Sequence, residues 1–250
     1  MKNTYIDIKR VQNRLLEMAK TTATILENHN IPHMIAFGTL LGAVRHQGFI
    51  PWDDDFDFLL FDDTYEEAMS VLAKELPVTM FLENEKTEPK YFHAWAHVKD
   101  LNTICECDLY PHDELYSHKG MNVDLYKLKR IKARDFADFR YNEAIAYINR
   151  RKVLGFISDE EYKRRLDIYI ERRSKEYISS DEDIMAYTTD VGKMQCKYVF
   201  PLKKYKFEDY EFWGPNNADG ILHDRYGDYM TLPPESERIP HHSKIIFLES

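Results

Sequence analysis

Only three of the 250 residues are cysteine, no apolar run approaches the roughly 20 residues of a membrane span, and basic residues do not predominate. Each shortage excludes something. Cys105, Cys107 and Cys196 give no even disulfide framework and suit a reducing compartment. Cys105-x-Cys107 lies near His93, His97 and His112, but the spacing matches no common zinc pattern, so reduced thiols are expected. The start, MKNTYIDIKRVQ, lacks the apolar centre of a signal peptide, and the expected location is cytoplasmic. A formal net charge of −9 argues against a nucleic-acid partner, since such affinity comes mainly from Lys and Arg on phosphates. With neither an internal repeat nor a low-complexity linker, residues 1–250 read as one domain, long enough to bury a sizeable core.

What is present is an ordered series of amphipathic segments. Apolar side chains at Ile8, Val11, Leu15, Ala19, Ile25 and Leu26 predict a helix over 8–28, ended by Asn28, Asn30 and Pro32. Met34 to Phe37 reads as a strand, and Gly38 with Thr39 as a turn into a short helix from Leu40 to Arg45. Gly38 permits close backbone approach, and N–H groups at a helix start attract anions. Thr64-x-x-Glu67 is a capping-box pattern for a helix reaching about Leu76. Strands are expected at Val78–Leu82, His93–Lys99, Thr103–Cys107 and Met121–Leu128. From 133 to 177 the chain turns to charged helices broken near Gly155–Ser158, with Asp159 able to cap the second, which reads as a helical insertion whose charge is a solvated face. The C-terminal part mixes short strands with a helix near Asp219–Tyr226.

Between the first two strands lies PWDDDFDFLLF. Asp53, Asp54, Asp55 and Asp57 are like charges run into an apolar segment, and a divalent cation is the simplest compensation. If DFDFLLF is a strand, its period of two puts Asp55 and Asp57 on one face and Phe56, Phe58 and Leu60 on the other, toward a core. Hard oxygen ligands at that spacing suit Mg²⁺ or Mn²⁺. Asp124, the lone carboxylate in an otherwise apolar strand, is a candidate third ligand, and Asp53 and Asp54 are expected to orient the loop. Arg45, His46 and Lys99 are candidates for a substrate phosphate, and Arg45 has a salt bridge to Asp53 or Asp54 as its alternative.

Five stretches together resemble the LicD family of phosphotransferases, whose animal relatives include fukutin-type ribitol-phosphate transferases. They are AFGTLLGAVR (36–45), HQGFIPWDDDFD (46–57), Lys99-Asp100-x-Asn102-Thr103, Val123-Asp124, and RYGDYMTLPP (225–234). The resemblance implies an α+β (mixed α/β) nucleotidyltransferase-like fold, a mixed sheet flanked by helices. It puts Gly38 and Thr39 on the turn, Asp55 and Asp57 on the metal, and Asp124 as third carboxylate and candidate base. The implied reaction moves phosphocholine, phosphoethanolamine, aminoethylphosphonate or a polyol phosphate from a CDP-linked donor to a hydroxyl of a glycan or lipid-linked glycan, releasing CMP. Lipid-linked acceptors would bring peripheral membrane contact. Trp52, Trp95, Trp213 and the 17 tyrosines offer no assignable choline box. The same carboxylates suit nucleotidyl transfer from a nucleoside triphosphate, and a catalytically silent nucleotide-binding module is the non-enzymatic reading.

Overall fold

The apolar stripe of the first segment forms helix α1 (Ile8–Asn28), capped by Asp7, whose carboxylate accepts the Arg10 N–H at 3.2 Å. The computed structural model describes residues 7–106, 115–188 and 192–248. Strand β1 (His33–Ile35) stops earlier than the sequence suggests, because Phe37 turns into the left-handed region (φ 46°) and opens helix α2 (Phe37–His46). Gly38 and Thr39 therefore lie in the first turn of α2, not in a separate turn before it. Strand β2 begins at Asp57 and runs to Phe61, so Asp55 belongs to the preceding loop, not to a strand.

Helix α3 (Tyr65–Glu75) follows a single 3-10 turn. Thr64 does not cap it as the capping-box pattern predicts: its hydroxyl donates back to the Phe61 carbonyl at 3.3 Å. Four strands follow, β3 (Met80–Glu83), β4 (Ala96–Asp100), β5 (Thr103–Glu106) and β6 (Asn122–Lys132). Each of the first two starts two or three residues later than periodicity implied, and β6 extends four residues further because β7 (Asp183–Tyr187) pairs with its second half.

Strand β6 is the axis of the sheet. The order is β1-β2-β6-β4-β3, while β7 and β8 (Lys193–Gln195) continue from the far half of β6; β2 and β6 are parallel and the other pairs antiparallel. This is the expected mixed α/β architecture. Phe56, Phe58 and Leu60 are fully buried, as alternation predicts. Phe56 and Phe58 meet Phe212 of the ribbon β9 (Lys203–Phe207)–β10 (Tyr210–Gly214), with ring centroids 5.1 and 5.8 Å away.

Two further features frame the site. Helices α4 (Phe136–Val153) and α5 (Asp159–Lys175) form an antiparallel pair, since Arg173 and Glu176 at the end of α5 meet Asp138 and Arg140 at the start of α4. Ser158, not Asp159, caps α5, accepting the Glu161 N–H at 3.1 Å, and Asp159 pairs with Lys152 instead. After a short helix α6 (Cys196–Val199) and helix α7 (Ala218–Tyr226), strand β11 (Lys244–Phe247) returns to pair antiparallel with β5. Cys107 and His112 of the cysteine-histidine group lie outside the described residues, and Cys105 lies on β5, partly buried. Among the described residues no helix is long and apolar enough to cross a membrane.

Candidate functional site

Parallel pairing of β2 with β6 sets Asp57 directly opposite Asp124. Two more registers extend that row, with Asp124 opposite His97 and His97 opposite Glu83, so four titratable residues cross four adjacent strands. Residues paired in this way project from the same face of a sheet. His97 lies between two acids: Nδ1 is 3.0 Å from Glu83 Oε2, and Nε2 is 3.4 Å from Asp124 Oδ1. Asn122 donates to Asp124 Oδ1 at 2.5 Å and the Tyr126 hydroxyl donates to Oδ2 at 2.8 Å. Asp124 is thus held in one orientation by three neighbours.

The acidic loop meets this row at the start of α2. Thr39 Oγ1 accepts the Asp57 N–H at 2.9 Å, and the Ala36 N–H donates to the Asp57 carbonyl at 3.2 Å. Gly38 leaves room for carboxylates: a Cβ there would stand 3.0 Å from Asp53 Oδ2 and 3.8 Å from Asp55 Oδ1. Acids at a helix N-terminus are favoured by the uncapped N–H groups and the helix dipole. From the other side, the buried Gln12 of α1 donates to the carbonyls of Ile50 and Asp53 at 3.1 and 3.0 Å, fixing the loop backbone.

Adjacent aspartates have opposite fates. Asp54 is buried, with Oδ1 accepting the His241 N–H at 2.8 Å and Oδ2 accepting the His242 N–H at 2.9 Å and bonding His242 Nδ1 at 3.0 Å. Burial raises its pKa, but these bonds to His242 and His241 outweigh burial and bring it below the usual aspartate value. Asp57 is 5% exposed, and its pKa is pushed well above the usual value by burial and by repulsion from Asp55, Asp124 and Asp53, eased by the Arg225 charge. Asp53 is raised well above it by burial and by Asp55. Asp124 is raised by burial, against the pull of His97 and Tyr126.

His241 Nδ1 is 3.0 Å from Asp55 Oδ2, and that bond raises the histidine pKa to about 9. Asp53, Asp55 and His241 bring one ligand atom each within 4.8 Å of one another, the one such group of three among the described residues. Asp55 Oδ1 is buried with no hydrogen-bond partner. A divalent cation fits this chemistry: clustered carboxylates, at least one with an unused buried oxygen and several destabilised as anions. Asp54 orients its neighbours, as expected for a supporting residue, whereas Asp53 faces the convergent group and does not stand behind it.

The remaining sequence candidates divide. Lys99 of β4 is 4% exposed and donates to Asn122 Oδ1 at 3.0 Å and to the Gly120 carbonyl at 3.3 Å, two residue pairs along the sheet from Asp124. Arg45 and His46 sit in the last turn of α2, about 10 Å along its axis from Gly38 at 1.5 Å per residue. Arg45 makes no salt bridge to Asp53 or Asp54; it donates to the Tyr229 carbonyl at 2.6 Å and to His46 Nε2 at 3.0 Å. The sequence reading missed Arg225, whose guanidinium stands 4.5 Å from the Phe37 ring and donates to the Tyr187 hydroxyl at 2.8 Å, and it missed His97, His241 and His242 as site residues.

A family model for the LicD/FKTN/FKRP nucleotidyltransferase domain matches residues 30–138, the span that holds α2, the acidic loop, β2 and Asp124. Over that span the chain is similar to the LicD family. A relative from Haemophilus influenzae, described as lipopolysaccharide cholinephosphotransferase LicD, is 29% identical over 236 residues, which covers 87% of this chain and 89% of that protein. An uncharacterized protein of Rickettsia prowazekii is 30% identical over 156 residues, 55% of this chain and 53% of its own length. The stretch matched by the LicD model stops near the start of α4, so the helical pair and the His241–His242 segment lie beyond it.

Proposed function

We propose that this protein is a metal-dependent phosphotransferase that moves a phosphorylated head group, phosphocholine in the first instance, from a CDP-activated donor to a glycan hydroxyl with release of CMP. The Haemophilus relative's name supplies phosphocholine and a lipopolysaccharide acceptor. The observation that carries the reading is the pairing of Asp57 with Asp124 beside the acidic loop, at a helix start opened by Gly38. Phosphoryl transfer depends on charge neutralisation and in-line positioning more than on covalent catalysis, and this arrangement is built for that.

Asp55, Asp57 and Asp124 are the residues proposed to hold Mg²⁺ or Mn²⁺. Bound there, the ion would neutralise phosphoryl oxygens and lower the pKa of an acceptor hydroxyl. Asp124 accepts the acceptor proton, and its hydrogen bonds from Asn122 and Tyr126 fix the oxygen that does so. Thr39 acts through Asp57 by holding its backbone. Arg225 is the cation that eases the charge of Asp57 and is suited to a donor phosphate oxygen. Lys99 acts through Asn122 from its buried position. A peripheral membrane contact belongs to this reading where the acceptor is lipid-linked.

Purified protein incubated with CDP-choline and Mg²⁺ should release CMP slowly without acceptor and faster with deacylated lipopolysaccharide oligosaccharide, measured by chromatography of the nucleotides. Absence of CMP release together with pyrophosphate release from a nucleoside triphosphate would replace this reading with nucleotidyl transfer.

A further inference from the structure

Beside the catalytic row, between the α4–α5 pair and the sheet, lies a cavity of about 350 Å³, within the roughly 300–1,000 Å³ range of small-molecule sites. Its walls are aromatic, with Trp95 ahead of β4, Tyr141 and Tyr147 on α4 and Tyr169 on α5, and Glu143 and Arg172 stand among them. Two polar atoms in the lining are buried without a hydrogen-bond partner among the described residues, Trp95 Nε1 and Thr188 Oγ1. Thr188 is 8% exposed, and leaving so buried a hydroxyl without a partner is costly. The cavity adjoins the chemistry: the Trp95 ring lies 5.1 Å from the ring of Tyr126, whose hydroxyl bonds Asp124.

We propose that this cavity is an acceptor subsite that holds one sugar unit of the glycan, stacked on its tyrosines and hydrogen-bonded by Trp95, Thr188, Glu143 and Arg172. The inference rests on the transferase reading above and adds to it where the acceptor binds. Flat aromatic faces suit the C–H face of a pyranose, and a sugar carries hydroxyls that both donate and accept. Indole Nε1–H and guanidinium only donate, Glu143 as carboxylate only accepts, and Thr188 does either. A sugar unit satisfies all four.

The donor's choline end satisfies them less well. A trimethylammonium group offers no acceptor for Trp95 Nε1–H, and Arg140, Arg172 and Arg173 all line the cavity. Arg140 is paired with Glu176 and Arg173 with Asp138, which leaves Arg172 and Glu143 to balance, so the lining supplies no net negative charge to attract an organic cation. A neutral or acidic sugar has no such conflict. The acceptor would thus approach Asp124 from the side of the helical insertion, leaving the α2 start to the donor.

The test is calorimetric titration of the Mg²⁺-loaded protein with a deacylated lipopolysaccharide core oligosaccharide. Tyr169→Ala and Arg172→Ala, both on α5, should weaken binding roughly tenfold or more. Trp95→Phe keeps an aromatic face of smaller size and removes the N–H, and an unchanged urea midpoint in that variant separates a several-fold loss of affinity from unfolding. Unchanged affinity in all three variants, no binding by the wild type, or displacement of the oligosaccharide by CMP or tetramethylammonium would each overturn the subsite. Failure of the transferase reading shows separately: wild-type protein would then release no CMP from CDP-choline even where the oligosaccharide binds and the variants weaken it.

Discussion

The acidic loop with β2 and the helical pair α4–α5 are both dense in charge and use it in opposite ways. On the helices, opposite charges pair at the surface: Glu161 with Arg164 and Arg165, Lys175 with Glu171, Arg173 with Asp138. At the loop, four aspartates converge within five residues, two of them buried, and what opposes their repulsion is sparse: His241 on Asp55, His242 on Asp54 and the charge of Arg225 on Asp57. Exposed pairs contribute little to stability because water already screens them. Buried like charges are costly, and a ligand of opposite charge would offset that cost, which is what supports the proposed cation site. The difference separates a solvated charged surface from a costly one without reference to any relative.

The sharpest way to break that contrast is to remove one buried charge while keeping its shape. Asp57→Asn should lower CMP release at least about 10³-fold, because a ligand that stabilises transition-state charge is worth several kcal/mol. In metal-free buffer the same variant should unfold at the same or higher urea concentration than the wild type, since repulsion with Asp55, Asp124 and Asp53 is relieved. Turnover near wild type, or a clear loss of metal-free stability, would remove the basis for reading the loop as a cation site. Asp55→Asn should behave alike in turnover, and it also weakens the His241 contact.

Asp54 is the counter-case within the loop, an acid whose neighbours want its charge. Asp54→Ala leaves two backbone N–H groups and the His242 ring without their acceptor and should cost about 3 kcal/mol, measured by urea unfolding. The smaller loss expected for His242→Ala separates the backbone bonds from the ring bond.

Opposite pKa shifts give opposite pH dependences. Asp57, raised when folded, is stabilising as the acid, so in metal-free protein its contribution falls as pH rises above the ordinary aspartate value of about 3.9. Asp54, lowered when folded, contributes fully above that value, and its contribution is lost as pH falls from there through its lower folded pKa. Urea midpoints taken across pH should therefore decline less toward neutrality in Asp57→Asn and less toward acid in Asp54→Asn than in wild type. Identical profiles for the two variants would contradict the assignment.

How much of this was legible in the sequence depends on how local each contact is. Phe56, Phe58 and Leu60 turn inward as alternation predicts, and the nomination of Asp124 meets a register that sets it against Asp57. Alternation nevertheless misdescribed Asp55, which precedes the strand and faces the site through the loop path that Gln12 and Gly38 shape. His241 and His242 were beyond reach, because β11 and β5 pair across about 140 residues and no local pattern encodes that. Arg225 lay inside the noticed RYGDYMTLPP segment, yet its approach to Asp57 depends on how α7 docks. His97 was passed over as part of a possible zinc group, although its register between Glu83 and Asp124 gives it a different setting.

The smallest expected effect lies on the helical pair and sharpens the contrast from its other side. Glu161 is partly exposed and its partner Arg164 largely so, and the two arginine bonds hold the Glu161 pKa down to about 2, led by Arg164. The shift reflects close geometry in a solvent-screened setting, where the entropy of fixing three long side chains offsets most of the attraction. Glu161→Gln should leave both the melting temperature and CMP release indistinguishable from wild type in moderate salt. A marked loss of stability would mean that paired charges on α5 are structural after all, and that pairing alone does not tell a solvating surface from a working one.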